Sequence, residues 1–233
     1  MSLLYKFEFN TLFITNFINM ITTIFATKSS TKTSISVSTA VYLKNKGADV
    51  LLCDLDSQKS AVIWMEYRDS DDSLVSVPTV EKSGTTVFSS LKELSSKYEH
   101  LICDCGGKND VSGRYALLVS DLVIVPVFPS NISLMTLNQS LRSIEEAKVQ
   151  NDKLKAIIVL TGVNSNPRIK DTDEAREAIT ELITVYDYVT LANGFITTRK
   201  VWSDISCTGQ GITETNNEKA SSQFIELMKE VLL

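Results

Sequence analysis

Glycine is absent from the first 46 residues of this 233-residue chain, so all nine of its glycines lie at position 47 or later. Histidine is scarce as well, since His100 stands alone, and the four cysteines form no Cys-x-x-Cys pair. Zinc sites are built mostly from clusters of these two residue types, so the sequence argues against a zinc protein. Cys53, Cys103 and Cys105 lie in apolar runs, which favours reduced thiols in the core.

Strong charge of either sign is also lacking. The formal net charge is −5, a mild acidic balance that argues against a protein that coats nucleic acid by bulk positive charge but allows a local basic patch. Hydrophobic residues make up 43% of the chain, which excludes global disorder. A chain of this length suits one large domain, and we expect residues 20–233 to form it.

Residues 1–19 are apolar and aromatic, yet they do not resemble a membrane span. Lys6, Glu8 and three asparagines interrupt the segment, whereas a span needs about 20 mainly apolar residues. The segment also lacks the basic start and the small-residue cleavage site of a good signal peptide. We therefore expect an N-terminal extension outside the core fold, and no membrane association.

Short apolar runs alternate with helical patterns along the rest of the chain. Near-continuous apolar strands separated by amphipathic helices are typical of a parallel sheet covered on both faces. We therefore predict an α/β fold with a mostly parallel, twisted sheet and helices on both faces. Strands are predicted at 21–26, 49–54, 74–77, 101–105, 122–127, 155–161 and near 188–191, and helices at 32–46, 87–98, 134–144 and 218–233.

Polar groups suited to a nucleotide follow three of these strands. Lys32 and Thr33 open a helix after the first strand, Asp54 and Asp56 follow the second, and Asp104 ends the fourth. A helix N-terminus attracts phosphate, and a lysine there pairs with the β- and γ-phosphates. A threonine hydroxyl can bind magnesium, while nearby carboxylates hold the metal's water or orient an attacking water.

Each group also has a simpler explanation when taken alone. A Thr-Lys-Thr-Ser run at a helix start is often a cap, and paired acids at a strand end are often solvated loop carboxylates. Their order along the chain, each after a predicted strand, favours a nucleotide site. Ligands of such folds bind beyond the carboxyl ends of the strands.

Four motifs carry a resemblance to a known family. At these positions the chain resembles the ParA/MinD family of deviant Walker-A ATPases, and most closely its short, ParF-like plasmid-partition branch, from residue 20 to the C-terminus. The motifs are KSSTKTS at 28–34, VLLCDLDSQKS at 50–60, DLVIVPVFPS at 121–130, and ITTRKVW at 196–202 followed by GQG at 209–211. The resemblance implies a P-loop ATPase fold that binds ATP and Mg²⁺.

The resemblance also implies roles for single residues. Lys32 would bind phosphate and Thr33 magnesium, with Asp54 and Asp104 supporting the metal site. Asp56 would position the hydrolytic water. Further nucleotide contacts would come from Ser29, Ser30, Thr31 and Ser34 in the loop, and from Thr161 and Asn164 near adenine.

Lys28 is the residue whose alignment stays open. If the loop is one residue short, Lys28 is the signature lysine that crosses an ATP-sandwiched dimer to the partner's phosphates. If no residue is missing, Lys28 occupies a glycine position and Thr27 replaces the signature lysine.

The family's loop, roughly KGGxGKTT, uses glycine at positions with positive φ and at close approaches to phosphate. Serine or threonine at a strained position of this kind costs about 1–3 kcal/mol. We therefore expect weakened ATP binding and, if turnover survives, a weak ATP hydrolase.

Three functions follow from the resemblance. The first is a cytoplasmic partition ATPase that dimerises or polymerises with ATP and segregates plasmid or chromosomal DNA. Its partners would be a centromere-binding ParB-like protein and non-specific DNA, which would associate it with the nucleoid. The second is a non-hydrolysing scaffold or regulatory protein. The third, a MinD-like membrane ATPase, is disfavoured because the C-terminal FIELMKEVLL has no basic face.

Overall fold

The computed structural model describes residues 19–29, 31–107, 110–166 and 170–232. Two of the sequence-based predictions lie outside these ranges. They are the contact of Ser30 with the nucleotide and nearly all of the N-terminal extension, of which only Asn19 is described.

Seven parallel strands form one sheet in the order β3-β2-β4-β1-β5-β6-β7. This arrangement confirms the predicted α/β fold with a parallel sheet. The strand that opens the described fold, β1, lies in the middle, so its carboxyl end is flanked by those of β4 and β5. The strands are β1 (Met20–Ile24), β2 (Val50–Asp54), β3 (Thr79–Glu81), β4 (His100–Asp104), β5 (Leu122–Val127), β6 (Lys155–Val163) and β7 (Val189–Thr197).

The predicted strand at 74–77 was wrong, because the third strand lies at Thr79–Glu81 beyond Pro78. The backbone carbonyl of Val75 accepts a hydrogen bond from Nε of Arg68 at 2.7 Å. Leu52 of β2 instead donates to the carbonyl of Pro78 at 2.9 Å, where the pairing with β3 begins. The carbonyl of Val75, which local sequence assigned to the sheet, is therefore bonded to the buried side chain of Arg68 on α2.

Eight helices cover the two faces of the sheet in the described part of the chain. One hydrophobic cluster packs α1, α2 and α8 on one face, and a second packs α3, α4, α5 and α6 on the other. Sequence analysis had not listed α2, α4, α6 or the short α7. The helices are α1 (Lys32–Asn45), α2 (Ser60–Asp69), α3 (Val87–Ser95), α4 (Val111–Leu117), α5 (Asn131–Lys148), α6 (Asp171–Ile183), α7 (Val201–Asp204) and α8 (Glu218–Val231).

The last helix, α8, is part of the core. Phe224, Leu227, Met228 and Val231 are buried in the same cluster as α1 and α2. The apolar face of α8 is therefore already covered by the protein's own sheet. None of the helices in the described ranges combines the length and the hydrophobicity that a bilayer crossing requires.

Candidate functional site

The predicted site residues meet where three central strands end. Asp54 of β2 and Asp104 of β4 are direct neighbours in the sheet register, and Asp104 is also the register partner of Ile24 at the end of β1. The loop after β1 leads over this edge into α1, which begins at Lys32. The fold thus brings the loop and the two acids to one place, as the order of motifs predicted.

Asp104 is the buried centre of this group. Its Oδ2 accepts a hydrogen bond from Thr33 Oγ1 at 2.7 Å, and its Oδ1 accepts one from Ser36 Oγ at 2.8 Å. Burial raises the pKa of Asp104 to about 7, against the two hydroxyl hydrogen bonds and the charge of Lys32, which lower it. Sequence reasoning missed Ser36, although it lies one helical turn after Thr33 and so on the same face of α1.

Lys32 is folded back onto the loop. Only 7% of the residue is exposed, and its Nζ donates to the backbone carbonyl of Ser29 at 3.1 Å. The ammonium therefore sits inside the loop that precedes α1, beside a carbonyl that an anionic ligand could replace. This placement is compatible with the phosphate-binding role that the resemblance predicts for Lys32.

Hydroxyl groups hold the loop in place of glycine. Ser29 Oγ and Thr31 Oγ1 are 3.0 Å apart, and Thr31 Oγ1 donates to Thr161 Oγ1 on β6 at 3.3 Å. Thr27 is held by its backbone N–H and its hydroxyl, each 3.0 Å from Ser140 Oγ on α5. Among the described loop residues, Ser29 included, none has a positive φ, so these residues carry no backbone strain of the kind that glycine would relieve.

Asp54 caps α2. Its Oδ2 accepts hydrogen bonds from the backbone N–H groups of Ala61 and Val62 at 2.9 and 3.0 Å, and its Oδ1 accepts one from Asp56 at 3.0 Å. Burial raises the pKa of Asp54 although these N–H groups act in the opposite direction. The carboxylate oxygens of Asp54 are thus engaged by backbone N–H groups, whereas Asp104 accepts a hydrogen bond from the predicted magnesium ligand Thr33.

Asp56 lies between two strand-end loops. Its Oδ1 accepts from the backbone of Gln58 at 3.0 Å, and a Cβ on Gly106 would lie 3.3 Å from the same oxygen. The missing side chain of Gly106 thus lets the carboxylate approach the loop after β4. Lys59, three residues further on, has φ of 54° and forms an ion pair with Glu81 at 2.9 Å.

Two cavities open at this edge of the sheet and share Phe128 and Gly162 in their linings. The first, about 520 Å³, contains Lys28, Ser29 and Asn164. The second, about 830 Å³, contains Thr31, Thr33 and Ser34. Sequence reasoning did not identify Phe128 and Gly162 as lining residues. The ring of Phe128 packs on Gly162 only because β5 and β6 pair, and this pairing is not visible in the local sequence. A Cβ on Gly162 would lie 2.2 Å from that ring.

The donor set suits a magnesium–phosphate group. Mg²⁺ prefers oxygen ligands and is usually bound by one or two protein groups, with water and substrate phosphate completing its shell. Thr33 supplies the hydroxyl, Asp104 supplies the carboxylate behind it, and Lys32 supplies a cation for the phosphates. No cluster of three or more histidine, cysteine, aspartate or glutamate side chains suited to a metal is found within the described ranges.

Known proteins resemble this chain in sequence and in fold. The chain is 29% identical over 152 residues to the maintenance of carboxysome distribution protein A of Halothiobacillus neapolitanus, covering 65% of this chain and 68% of that protein. A Cyanothece McdA–ATP complex has a similar fold, with a TM-score of 0.71, 13% identity and coverage of 92% and 96%. An AMPPNP-bound plasmid partition protein of Borrelia burgdorferi has a TM-score of 0.65, 18% identity and coverage of 91% and 98%.

A family match completes this comparison. Residues 22–209 match the CobQ/CobB/MinD/ParA nucleotide-binding domain, a stretch that includes the last three residues of β1, the loop after it, all the predicted site residues and the other six strands. The resemblance to ParA and MinD proteins that the motifs indicated is confirmed. The chain belongs to the CobQ/CobB/MinD/ParA family of nucleotide-binding domains.

Proposed function

We propose that this protein is a magnesium-dependent ATPase of the ParA type that assembles with ATP and positions DNA. The observation that carries the proposal is the contact between Thr33 and Asp104 at 2.7 Å, one residue after the buried Lys32. Hydroxyl, carboxylate and ammonium groups thus meet at the N-terminus of a 14-residue helix. Such a terminus favours phosphate through its free N–H groups and its dipole.

Each residue has a defined task in this proposal. Lys32 leaves the carbonyl of Ser29 and donates to the phosphates. The hydroxyl oxygen of Thr33 would bind the metal. Asp104 would accept a hydrogen bond from the Thr33 hydroxyl, as it does in this structure, or from a metal-bound water. Bound Mg²⁺ would supply charge neutralisation at the phosphates. Asp56 orients the attacking water, since its loop is held beside Gly106 and anchored by Asp54.

Assembly is the second part of the proposal. Lys28 is exposed at the rim of the smaller cavity, while Thr27 is tied to Ser140 and faces a hydrogen-bonded partner. This difference favours the alignment in which Lys28, and not Thr27, stands at the signature position, where its ammonium would reach a second subunit's phosphates. We propose an ATP-dependent homodimer or polymer, working in the cytoplasm with a ParB-like centromere-binding protein and with non-specific nucleoid DNA.

A second candidate function is a scaffold that binds nucleotide without turnover. It is favoured by the engagement of Lys32 Nζ with Ser29 and by the hydroxyl-bonded loop, which phosphate binding must rearrange. The cargo is a separate question, because one relative is named for carboxysome distribution and a structural neighbour for plasmid partition.

Two substitutions test the nucleotide site. Lys32→Ala should abolish ATP binding, because it removes the positive charge from the phosphates. Asp56→Ala should abolish hydrolysis and spare binding, because it removes only the group that orients water. Calorimetry with ATP and magnesium, together with phosphate release, measures both. Parental binding and turnover in both variants would place the site elsewhere, and binding without turnover in the parent would select the scaffold.

Lys28→Ala tests the assembly. We expect it to abolish dimerisation by a non-hydrolysable ATP analogue, measured by light scattering, with a modest loss of affinity. Lys97→Ala removes an exposed lysine that follows α3 and should leave assembly unchanged. A parent protein that stays monomeric with saturating analogue contradicts the assembly proposal.

A further inference from the structure

The strand β7 forms one edge of the sheet. In the described part of the chain it pairs with β6 on one side and has no strand on its other side. Edge strands present free backbone N–H and C=O groups that can pair with a strand of another molecule, and very short edges limit this pairing. The opposite edge, β3, has only three residues, whereas β7 has nine. Of the two edges, β7 is therefore the one that needs protection.

A bulge turns the middle of β7 away from β6. Ile158 and Leu160 of β6 oppose Leu191 and Phe195 of β7, and the register shifts between these two pairs. The three residues at 192–194 thus stand opposite a single residue of β6. A bulge leaves its extra residues without a partner in the ladder. The backbone groups of these three residues therefore need other hydrogen-bond partners.

Two charged side chains from different helices supply these partners. Glu230 of α8 accepts hydrogen bonds from the backbone N–H of Asn193 at 2.6 Å and from that of Gly194 at 2.8 Å. Arg176 of α6 donates to the backbone carbonyl of Ala192 at 3.1 Å and to that of Asn193. We call Arg176 and Glu230 the edge clasp, because together they bond both the donors and the acceptors of the bulge.

The edge clasp occupies the groups that a neighbouring strand would use. In an antiparallel pair, two opposite residues exchange both of their N–H···O bonds. Both backbone groups of Asn193 are bonded to the clasp instead. The carboxylate of Glu230 takes the place of a strand carbonyl, and the guanidinium of Arg176 takes the place of a strand N–H. Further along β7, Gln223 of α8 accepts from the backbone N–H of Thr197 at 3.1 Å in the same manner.

We propose that the edge clasp keeps β7 from pairing with the β7 of a second copy of this chain. A second copy is the partner whose edge matches by symmetry, because a two-fold axis gives each edge the same groups to offer the other. Asn193 of one copy would exchange both bonds with Asn193 of the other, and two seven-stranded sheets would join into one. The inference goes beyond the proposed nucleotide site, since β7 lies three strands away from β1.

Removal of the edge clasp tests this proposal in the absence of nucleotide. Glu230→Ala frees the two N–H groups of the bulge, and Arg176→Met frees the two carbonyls. In each variant we expect the mass measured by light scattering to rise with concentration towards twice that of the parent, whose mass should stay constant. Hydrogen exchange at Asn193 and Gly194 should slow as the variants associate, because paired amides are protected.

Two matched substitutions control for the lost charge. Glu226→Ala removes a carboxylate one turn earlier on α8, where the side chain is 71% exposed and pairs with Lys229 at 2.7 Å. Arg142→Met removes an exposed arginine from α5. Both control proteins should keep the parental mass at every concentration, because neither change frees a backbone group of β7.

A proline in the bulge separates edge pairing from other kinds of association. Proline has no N–H and is tolerated at bulges and on edge strands, where its missing donor removes no bond from the ladder. Asn193→Pro, added to either clasp variant, takes away a donor that pairing between the two edges requires. We expect the combined variants to return to the parental mass.

The possible results are distinct. Association of a folded clasp variant that disappears with the proline supports the proposal. If both clasp variants keep the parental mass, the proposal is overturned. Association of the control variants, or association that survives Asn193→Pro, also overturns it, because lost charge or another surface then explains the change.

Thermal unfolding of each variant completes the test. If Glu230→Ala does not fold, Arg176→Met decides, and unfolding of both variants would assign the edge clasp to the stability of the fold and overturn the proposal. A parent protein that binds no ATP would leave all these expectations unchanged, so this proposal and the proposed function fail separately.

Discussion

Two loops of this protein treat glycine in opposite ways. The loop at 27–31, called the phosphate loop for the role that the motif resemblance predicts, has no glycine although the motif it resembles is rich in glycine. The turn at 209–214, near the other end of the chain, keeps Gly209 and Gly211. The described residues of the first loop have negative φ and use their hydroxyls to bond Thr161 and Ser140. In the turn, there is no room for a side chain at either glycine.

The turn encloses a buried ion pair. Arg68 of α2 has a fully buried side chain that donates to both oxygens of Glu214 at 2.8 Å and to the carbonyl of Gly209 at 3.0 Å. Gly209 has φ of +70°, and a Cβ there would lie 2.4 Å from the backbone nitrogen of Arg68. At Gly211 a Cβ would lie 2.8 Å from Val41. The close approach of α2 and the turn is therefore possible only with glycine.

The difference teaches where glycine is indispensable. A loop can lose its glycines when its φ angles stay negative and its new side chains find hydrogen-bond partners. A turn that touches another backbone cannot, because any Cβ overlaps atoms that cannot move away. The following experiments test this comparison, beginning with the change of largest expected effect.

Glu214→Ala should destabilise the protein most. It leaves the charge of Arg68 buried without its carboxylate partner, a change that costs about 3–5 kcal/mol in free energy of unfolding. Urea unfolding monitored by circular dichroism measures it. Glu93→Ala is the control, since it breaks the exposed pair with Lys97 and should cost less than about 1 kcal/mol. Equal losses in the two variants would show that burial of the Arg68 pair does not matter.

Gly209→Ala should cost about 2–4 kcal/mol, because it combines positive φ with overlap of the backbone of Arg68. Gly84 has a similar φ of +69° but has no atom within 4 Å of a built Cβ. Gly84→Ala should therefore cost only about 1 kcal/mol from backbone strain. Chemical denaturation of both variants separates overlap from strain, and a Gly209→Ala protein as stable as Gly84→Ala would contradict the crowding argument.

Asp104, beneath the phosphate loop, should make stability depend on pH. Its folded-state pKa of about 7 exceeds the ordinary value of 3.8. Between these values the unfolded chain releases a proton that the folded protein retains, so the free energy of unfolding falls as pH rises. The loss from this group between pH 5 and pH 7 should be about 2 kcal/mol, and it should level off above pH 7.

Asp104→Asn tests this dependence, because the amide does not titrate. Denaturation at pH 5, 7 and 8 should show a smaller decline for the variant than for the parent. Parallel pH profiles for the two proteins would mean that the carboxyl of Asp104 is ionised throughout this range.

Ser29→Gly should have the smallest effect. Ser29 has no positive φ to relieve, and the substitution removes the hydroxyl that bonds Thr31 and accepts from its backbone N–H at 3.2 Å. We expect a loss of stability of about 1 kcal/mol or less and no gain in ATP affinity by calorimetry. Tighter ATP binding would show that the loop is strained when phosphate is bound.

The sequence by itself determined the parallel α/β fold, the family and the residues that meet at the strand ends. These depend on local patterns, since apolar runs end at Asp54 and Asp104 and parallel strands bring their carboxyl ends to one edge. The resemblance then assigned Lys32, Thr33 and Asp56 by position in a motif. The third strand was misplaced because Val75 bonds Arg68, a partner that local sequence does not reveal.

Only the tertiary structure decided how these parts contact one another. Asp54 caps α2 by accepting from the backbone N–H of Ala61, and the hydroxyls of the phosphate loop bond to one another and to Thr161. Arg68 and Glu214, 146 residues apart in the chain, form a buried ion pair. The edge-on contact between the rings of Trp202 and Phe224 likewise forms only when α7 meets α8. The physical reason is that hydrogen-bond satisfaction, burial and steric room depend on neighbours distant in sequence, whereas periodicity and strand ends do not.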